Sequence, residues 1–340
     1  MKRGVIIVLI FISLFGCNVD SVIKSDSSLS ELKFEIPIGF PQPHYNFEGN
    51  EVTKERFELG RKLFYDPILS RTNTISCGSC HQQFSAFSQI DHPVSHGVDD
   101  LLGTRNSPVL FNLAWHKEFM WDGGVNHIEV QPFAPIENPV EMDETLLGVI
   151  QKLNASNEYK KMFKVAYNVD SASTKYMALA ISQFMAMLVS ANSKYDKFIR
   201  NEETFTAEEN EGYQIFQQKC ATCHKPPLFT DLSYRNNGLD NTFLDEGRKM
   251  ITQNESDLGK FKVPTLRNVA LSYPYMHDGR LNTLDQVFEH YDSGIKQSST
   301  LDPILQNGIT LSANDKAKLK IFLNTLTDNT FTKDRRFSEF

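Results

Sequence analysis

The feature that most constrains this chain is a five-residue pattern that occurs twice, as Cys77-Gly78-Ser79-Cys80-His81 and Cys220-Ala221-Thr222-Cys223-His224. Two thiols one helical turn apart can each form a thioether with a vinyl group of one porphyrin. The adjacent imidazole is then held beneath the iron as its proximal ligand. Zinc would need four protein ligands round a single ion, and the two motifs lie far apart in the sequence. Two copies therefore predict two covalently bound haem c groups, with His81 and His224 as proximal ligands.

Of the five cysteines, these motifs use four and leave Cys17. Lys2 and Arg3 precede an apolar run from Gly4 to Phe15 that ends at Gly16-Cys17, which is the build of a secretory signal. The run is too short to span a membrane comfortably. Leu14-Phe15-Gly16-Cys17 resembles a bacterial lipobox, in which the Cys is diacylated and becomes the first mature residue. An ordinary signal peptide ending near a Cys is the alternative. The expectation is an exported, periplasmic lipoprotein, touching the membrane only through its lipid anchor. Export suits haem attachment of this kind, which takes place outside the cytoplasm. A net charge of -7, with no Lys/Arg-rich run, argues against a nucleic-acid partner.

Helical periodicity dominates the rest. Amphipathic stretches run over Glu55–Phe64, Glu144–Leu153, Glu158–Ala166 and Lys175–Leu188, with the Met residues of the last read as core. Thr206 with Glu209, and Thr283 with Gln286, have capping-box spacing. They open helices that lead to Cys220 and through Tyr291. Ser312 caps a last helix with Leu319, Phe322, Leu323 and Leu326 on its apolar face. The segment between the first motif and Pro139 is rich in Gly, Pro, Asn and His, and a loop of that length is usually functional. No convincing strand is found. The fold class expected is mainly α, with two cytochrome c-like helical domains, each wrapped round one covalently attached haem. The expected division is a signal peptide and lipobox over 1–17, a polar tether over 18–45, a first haem domain over 46–200 and a second over 201–340. The boundary falls near Ser190–Thr206, and the C-terminal helix is free to pack back on the first domain.

Several strings resemble those of bacterial di-haem cytochrome c peroxidases, a family that includes MauG-type enzymes. They are Leu59-Gly60-Arg61-Lys62-Leu63-Phe64-Tyr65-Asp66-Pro67, Thr104-Arg105-Asn106-Ser107-Pro108, Trp121-Asp122-Gly123 and Glu137-Asn138-Pro139-Val140-Glu141-Met142. In the second half they are Val263-Pro264-Thr265-Leu266-Arg267-Asn268-Val269 and Tyr273-Pro274-Tyr275-Met276-His277-Asp278-Gly279. They follow the family's order from about Phe57 to Leu326. The resemblance implies a peroxidatic haem on His81 and an electron-transfer haem on His224. It also implies a distal acid–base carboxylate at Glu141, with Gln131 in the same pocket, and an electron-mediating Trp121 between the haems. Where the family usually has Arg after Trp-Asp-Gly, this chain has Gly124. A calcium ion is implied between the domains, held by the Asn106 side chain and the backbone carbonyls of Ser272 and Pro274.

Two departures bear on mechanism. The family's peroxidases place a Met as sixth ligand of the second haem. Tyr291 stands at that position here, as in MauG-type proteins, and no Met follows His277. A phenolate is a harder, anionic ligand and should lower the iron's potential; His290, or no ligand, is the alternative. His96 occupies roughly the region of the distal His that blocks the peroxidatic haem at rest, with His92 close enough to compete. The implied reaction is reduction of hydrogen peroxide to water, with electrons from a small c-type cytochrome or similar donor. The alternatives are MauG-like oxidation of a partner protein through high-valent haem states, and a non-catalytic di-haem carrier. Family peroxidases are often dimers, so a homodimer is a further expectation.

Overall fold

The computed structural model of the chain describes residues 32–90 and 92–339. The expected signal peptide, the lipidation site at Cys17 and the first part of the tether lie outside these residues. Among the described residues no helix is long and apolar enough to cross a membrane.

The first half is built on α1 (Lys54–Tyr65), which leads by a polar turn to α2 (Cys77–Cys80), the short helix of the first motif. After a long irregular stretch come α3 (Phe133–Glu137), α4 (Leu146–Ala155), α5 (Asn157–Tyr167) and α6 (Thr174–Met187). The connection to the second half holds α7 (Lys194–Ile199). Then α8 (Ala207–Lys219) runs directly into Cys220. The remainder comprises β1 (Tyr234–Arg235), α9 (Lys249–Thr252), β2 (Phe261–Lys262), α10 (Leu284–Glu289) and α11 (Ala313–Asn324). The expected absence of strands is corrected by β1 and β2, which pair antiparallel with Tyr234 opposite Lys262. A two-residue ladder is too short to leave an alternating pattern in the sequence. The fold is otherwise mainly helical, as the periodicity indicated.

Each half packs a helix pair whose crossing is set by a glycine. A Cβ on Gly60 of α1 would lie 2.0 Å from the Ala180 carbonyl oxygen of α6. A Cβ on Gly212 of α8 would lie 2.1 Å from the Lys318 carbonyl oxygen of α11. No side chain fits at that separation, so the backbones meet only because glycine stands there. The capping boxes at Thr206/Glu209, Thr283/Gln286 and Ser312/Asp315 all form.

Two buried apolar clusters result. One gathers Phe57, Phe64, Phe87, Phe163, Phe184 and their neighbours, and Phe331 and Phe337 from the chain end join it. The other gathers Tyr195, Phe216, Phe229, Leu319, Phe322 and Leu323. Beside it, Arg267 is fully buried and makes a two-pronged pair with Asp196, at 2.8 and 2.7 Å. Asn268 links the same region to both ends, donating to Ser190 Oγ and accepting from the Asp328 amide.

Candidate functional site

The haem motifs frame two cavities, and in each the local fold aims the motif inward. In the first, Ser76 and Ser79 cap the one-turn helix α2, which turns Cys77, Cys80 and His81 toward a cavity of about 40 Å³. Phe64, Ile75, Leu110, Pro135, Ile181 and Met185 line it with apolar surface. The second motif follows α8 without a break, and Cys220, Cys223 and His224 line a larger cavity of about 280 Å³. None of the four motif cysteines is paired in a disulfide.

Both motif imidazoles are oriented through Nδ1. His81 Nδ1 lies 3.1 Å from the Phe87 carbonyl, and His224 Nδ1 lies 3.1 Å from that of Pro264 and 3.3 Å from that of Phe229. An Nδ1–H bonded to a carbonyl fixes the tautomer and leaves Nε2 for a metal. Burial pushes His81 down to about 4, against the pull of the Phe87 and Pro108 carbonyls, so the ring is neutral. Paired thiols, a neutral oriented imidazole and an apolar wall are what a covalently held haem needs, and both sites fit it. Among the described residues no group of three or more His, Cys, Asp or Glu gathers as a metal site, which leaves the zinc alternative without a ligand set.

The smaller cavity also brings together His96, Gln131 and Glu141. Glu141 is held by Asn138, whose Nδ2 donates to Oε1 at 2.8 Å, and the Glu141 carbonyl accepts from Val98 N at 2.7 Å. That second bond ties the His96 loop to the Glu141 loop. Burial raises the Glu141 carboxyl above its ordinary range, with Asn138 alone opposing it. His96 Nε2 is 3.4 Å from Asp100 Oδ1, and its ring lies 4.9 Å from that of His92. Of these two histidines, His96 is the one that lines the cavity.

Leu110 and Gln131 line both cavities, so they form the wall between them. Trp121 faces the larger one. Its indole N–H donates to the Asn106 carbonyl at 2.8 Å, and its own carbonyl accepts from Lys262 N at 2.7 Å. The other tryptophan, Trp115, is a core residue, packed on Phe34 and Phe40 and bonded to the Pro41 carbonyl. Beside Gly123 lies Arg248, which donates to the Asp122 carbonyl at 3.0 Å and to Glu118 at 3.0 Å, while Ile251 stands against Gly124.

Tyr291 lines the larger cavity together with Cys220, Cys223 and His224. It stands in a π-helical turn, His290–Gly294, that continues α10. His290 instead turns away and is spent on the Asn237 carbonyl, at 3.0 Å. Burial pushes the Tyr291 phenol up to about 12, with the Asn237 amide working the other way. Asn106, Ser272 and Pro274 line the same cavity. Asn106 Nδ2 donates to the Pro93 carbonyl, at 2.9 Å, so Oδ1 is the side-chain atom that could face a cation.

Sequence reasoning missed the residues that hold these groups. Asn138 was legible in principle, three residues before Glu141 in one string. Asn237, Lys262 and the Pro264 carbonyl reach their partners across tens of residues, and no local pattern announces them.

Comparison with known proteins agrees with this geometry. Residues 54–204 match the family described as di-haem cytochrome c peroxidase. The chain is 30% identical over 321 residues to the methylamine utilization protein MauG of Methylorubrum extorquens, covering 91% of this chain and 89% of that one. It is 34% identical over 278 residues to the cytochrome c551 peroxidase of Nitrosomonas europaea, covering 79% of each. A solved MauG-like protein associated with microbial copper homeostasis superposes with a TM-score of 0.84 at 30% identity, over 90% of this chain and 99% of that one. The chain belongs to the di-haem cytochrome c peroxidase family, whose members include MauG. It is, with that family, an oxidoreductase of the peroxidase class, and the family implies two haem c groups.

Proposed function

We propose that this protein reduces hydrogen peroxide to water at the site framed by Cys77, Cys80 and His81, with electrons entering at the site framed by Cys220, Cys223 and His224. The observation that carries the reading is the state of Glu141. Cationic partners outweigh burial at Asp196, Asp245 and Glu209, whose carboxyls fall below the ordinary range. Glu141 is pushed the other way, in a cavity it shares with a proximal His. A raised carboxyl in an apolar pocket is suited to taking and returning a proton.

Haem c, when bound at the two motifs, supplies the iron that binds peroxide and exchanges electrons. The chain's own residues do the rest. Glu141 takes a proton from one peroxide oxygen and delivers it to the other, so that the bond breaks with water leaving. Asn138 holds the carboxylate, and Gln131 supplies a polar contact in the same wall. Two electrons and two further protons complete the second water. Trp121, which lines the larger cavity, couples the two sites. His96 would close the peroxide site at rest, and Tyr291 would offer its phenol oxygen to the iron of the second site. Calcium binds at Asn106 Oδ1 and the Ser272 and Pro274 carbonyls, a set of neutral oxygens that suits a hard cation completed by water. The electron donor is a small c-type cytochrome or similar protein. The mature protein works in the periplasm as a lipoprotein acylated at Cys17, and as a homodimer. The two haem domains divide between α6 and α8.

A second reading is favoured by one observation. Tyr291, not His290, faces the second site, as expected of a MauG-like enzyme that oxidises a partner protein.

The test is stopped-flow mixing of the fully oxidised holoprotein with stoichiometric peroxide, repeated after adding one electron per molecule. A change of haem spectrum only after the electron supports the gated peroxidase with His96 as gate. A fast change in the oxidised protein removes His96 as resting ligand and favours the MauG-like version. No change in either state leaves an electron carrier and defeats both.

A further inference from the structure

Three cationic side chains line the larger cavity, and they differ in how their charge is met. Arg235 is paired with Asp231 and Asp302, each at 2.7 Å. Lys219 lies toward solvent and donates to the Thr310 carbonyl. Lys262 is buried, with 9% of its surface exposed. Its ammonium donates to the backbone carbonyl of Glu118, and among the described residues no carboxylate is bonded to it. The nearby carboxylates are taken: Glu118 by Arg248, and Asp122 and Asp245 by Arg105. The Tyr234 ring lies 5.8 Å from the ammonium, and an ammonium in such a place carries a large desolvation cost that one neutral carbonyl and one ring do not offset. Burial accordingly pushes Lys262 down to about 8, with Glu118 and Asp122 opposing the shift. Close to it, His116 lines the same cavity with no hydrogen bond to its ring among the described residues.

A buried cation and an unused imidazole on one wall mark a place for an anion. We propose that Lys262 and His116 receive a carboxylate, and that this carboxylate is a propionate of the haem carried by Cys220, Cys223 and His224. The chain itself points to that haem rather than the other. Lys262 closes β2, two residues before Pro264, whose carbonyl orients the His224 ring. One short segment thus reaches the proximal imidazole and the cationic wall together. The same residue grips Trp121 through its backbone N–H, so a propionate held there would lie beside the residue proposed to couple the two sites. The inference rests on haem attachment at the second motif and not on the peroxidase reaction, so the two fail separately.

The experiment uses the full-length holoprotein, with both haems verified by mass spectrometry. Resonance Raman reports the propionate bending mode, and a spectroelectrochemical titration reports each haem's potential. Lys262→Met should shift the propionate band and lower the potential of the His224 haem, because a lost cation favours the oxidised iron. Lys262→Arg should restore both, and His116→Phe should move them the same way by less. A crystal structure of the unaltered holoprotein gives a second measurement that needs no variant, and a propionate oxygen on Lys262 Nζ is expected. The inference is overturned if Lys262→Met carries both haems with band and potential unchanged. It is also overturned if only the His81 haem responds, or if the crystal shows water or a buffer anion on Lys262 and the propionates elsewhere.

Discussion

At the scale of single residues, the chemistry depends on side chains whose surroundings set their charge state against its usual value. Glu141 is the case with the most direct consequence. Replacing it with Gln keeps the Asn138 contact but removes the proton acceptor, so the peroxide-dependent rate should fall by roughly 10²–10⁴-fold, with the resting haem spectrum unchanged. Because burial raises the carboxyl, its charged form is lost as pH falls while still above the ordinary carboxylate range. The same rate should therefore decline on acidification from a higher pH than an exposed Glu would give, and a pH profile of the single-turnover rate checks it. Tyr291→Phe should abolish any phenolate charge-transfer band of the second haem and raise that haem's potential, since an anionic oxygen ligand favours the oxidised iron. An unaltered spectrum would take the ligand role away from Tyr291. Glu141 could be singled out because it lies in a string with its own chemistry, and Tyr291 because of its place after His277, and each does line one of the two cavities. Asn237 and Lys262 could not, because what they do depends on which distant residues fold against them.

At the scale of elements, the sequence announced what is local. Capping boxes involve residues three apart, so Thr206 with Glu209 and Thr283 with Gln286 could be read directly, and so could the cap at Ser312 and the apolar faces of α1, α6 and α11. The four-residue helix α2, the two-residue strands and α7 leave no periodic signal, since their length is set by packing rather than pattern. The least visible feature is the Arg267–Asp196 pair, which spans the chain between Val263-Pro264-Thr265-Leu266-Arg267 and α7. Removing one partner strands a buried charge, so Arg267→Ala should cost about 3–5 kcal/mol in chemical denaturation. Burial works against the Asp196 charge, but Arg267 and Ser193 outweigh it and the carboxyl is held below its ordinary value. The sign follows: this stabilisation is complete above about pH 4, the value of the unfolded group, and is lost as pH falls further. Acid unfolding of the unaltered protein should therefore include a contribution that Arg267→Ala lacks.

At the scale of the whole molecule, the two halves are tied by the end of the chain as well as by the segment between them. Phe331 and Phe337 lie in the cluster built by the first half, and Tyr65 Oη donates to the Phe337 carbonyl at 2.7 Å. Gln83, two residues after the first haem motif, donates to the carbonyls of Phe331 and Asp334. Phe331→Ala should cost about 3–5 kcal/mol, read as earlier denaturation of the holoprotein. No sequence pattern placed these residues there, because an aromatic after the last helix looks the same whichever core it enters. The arrangement also fixes an order of events. A polypeptide is made N-terminus first, so Cys77 and Cys80 emerge long before the residues that lid their own core. Until residues 331–337 arrive, the aromatic cluster of the first half lacks two of its rings and Gln83 lacks its carbonyl partners, so the half made first reaches its final packing last.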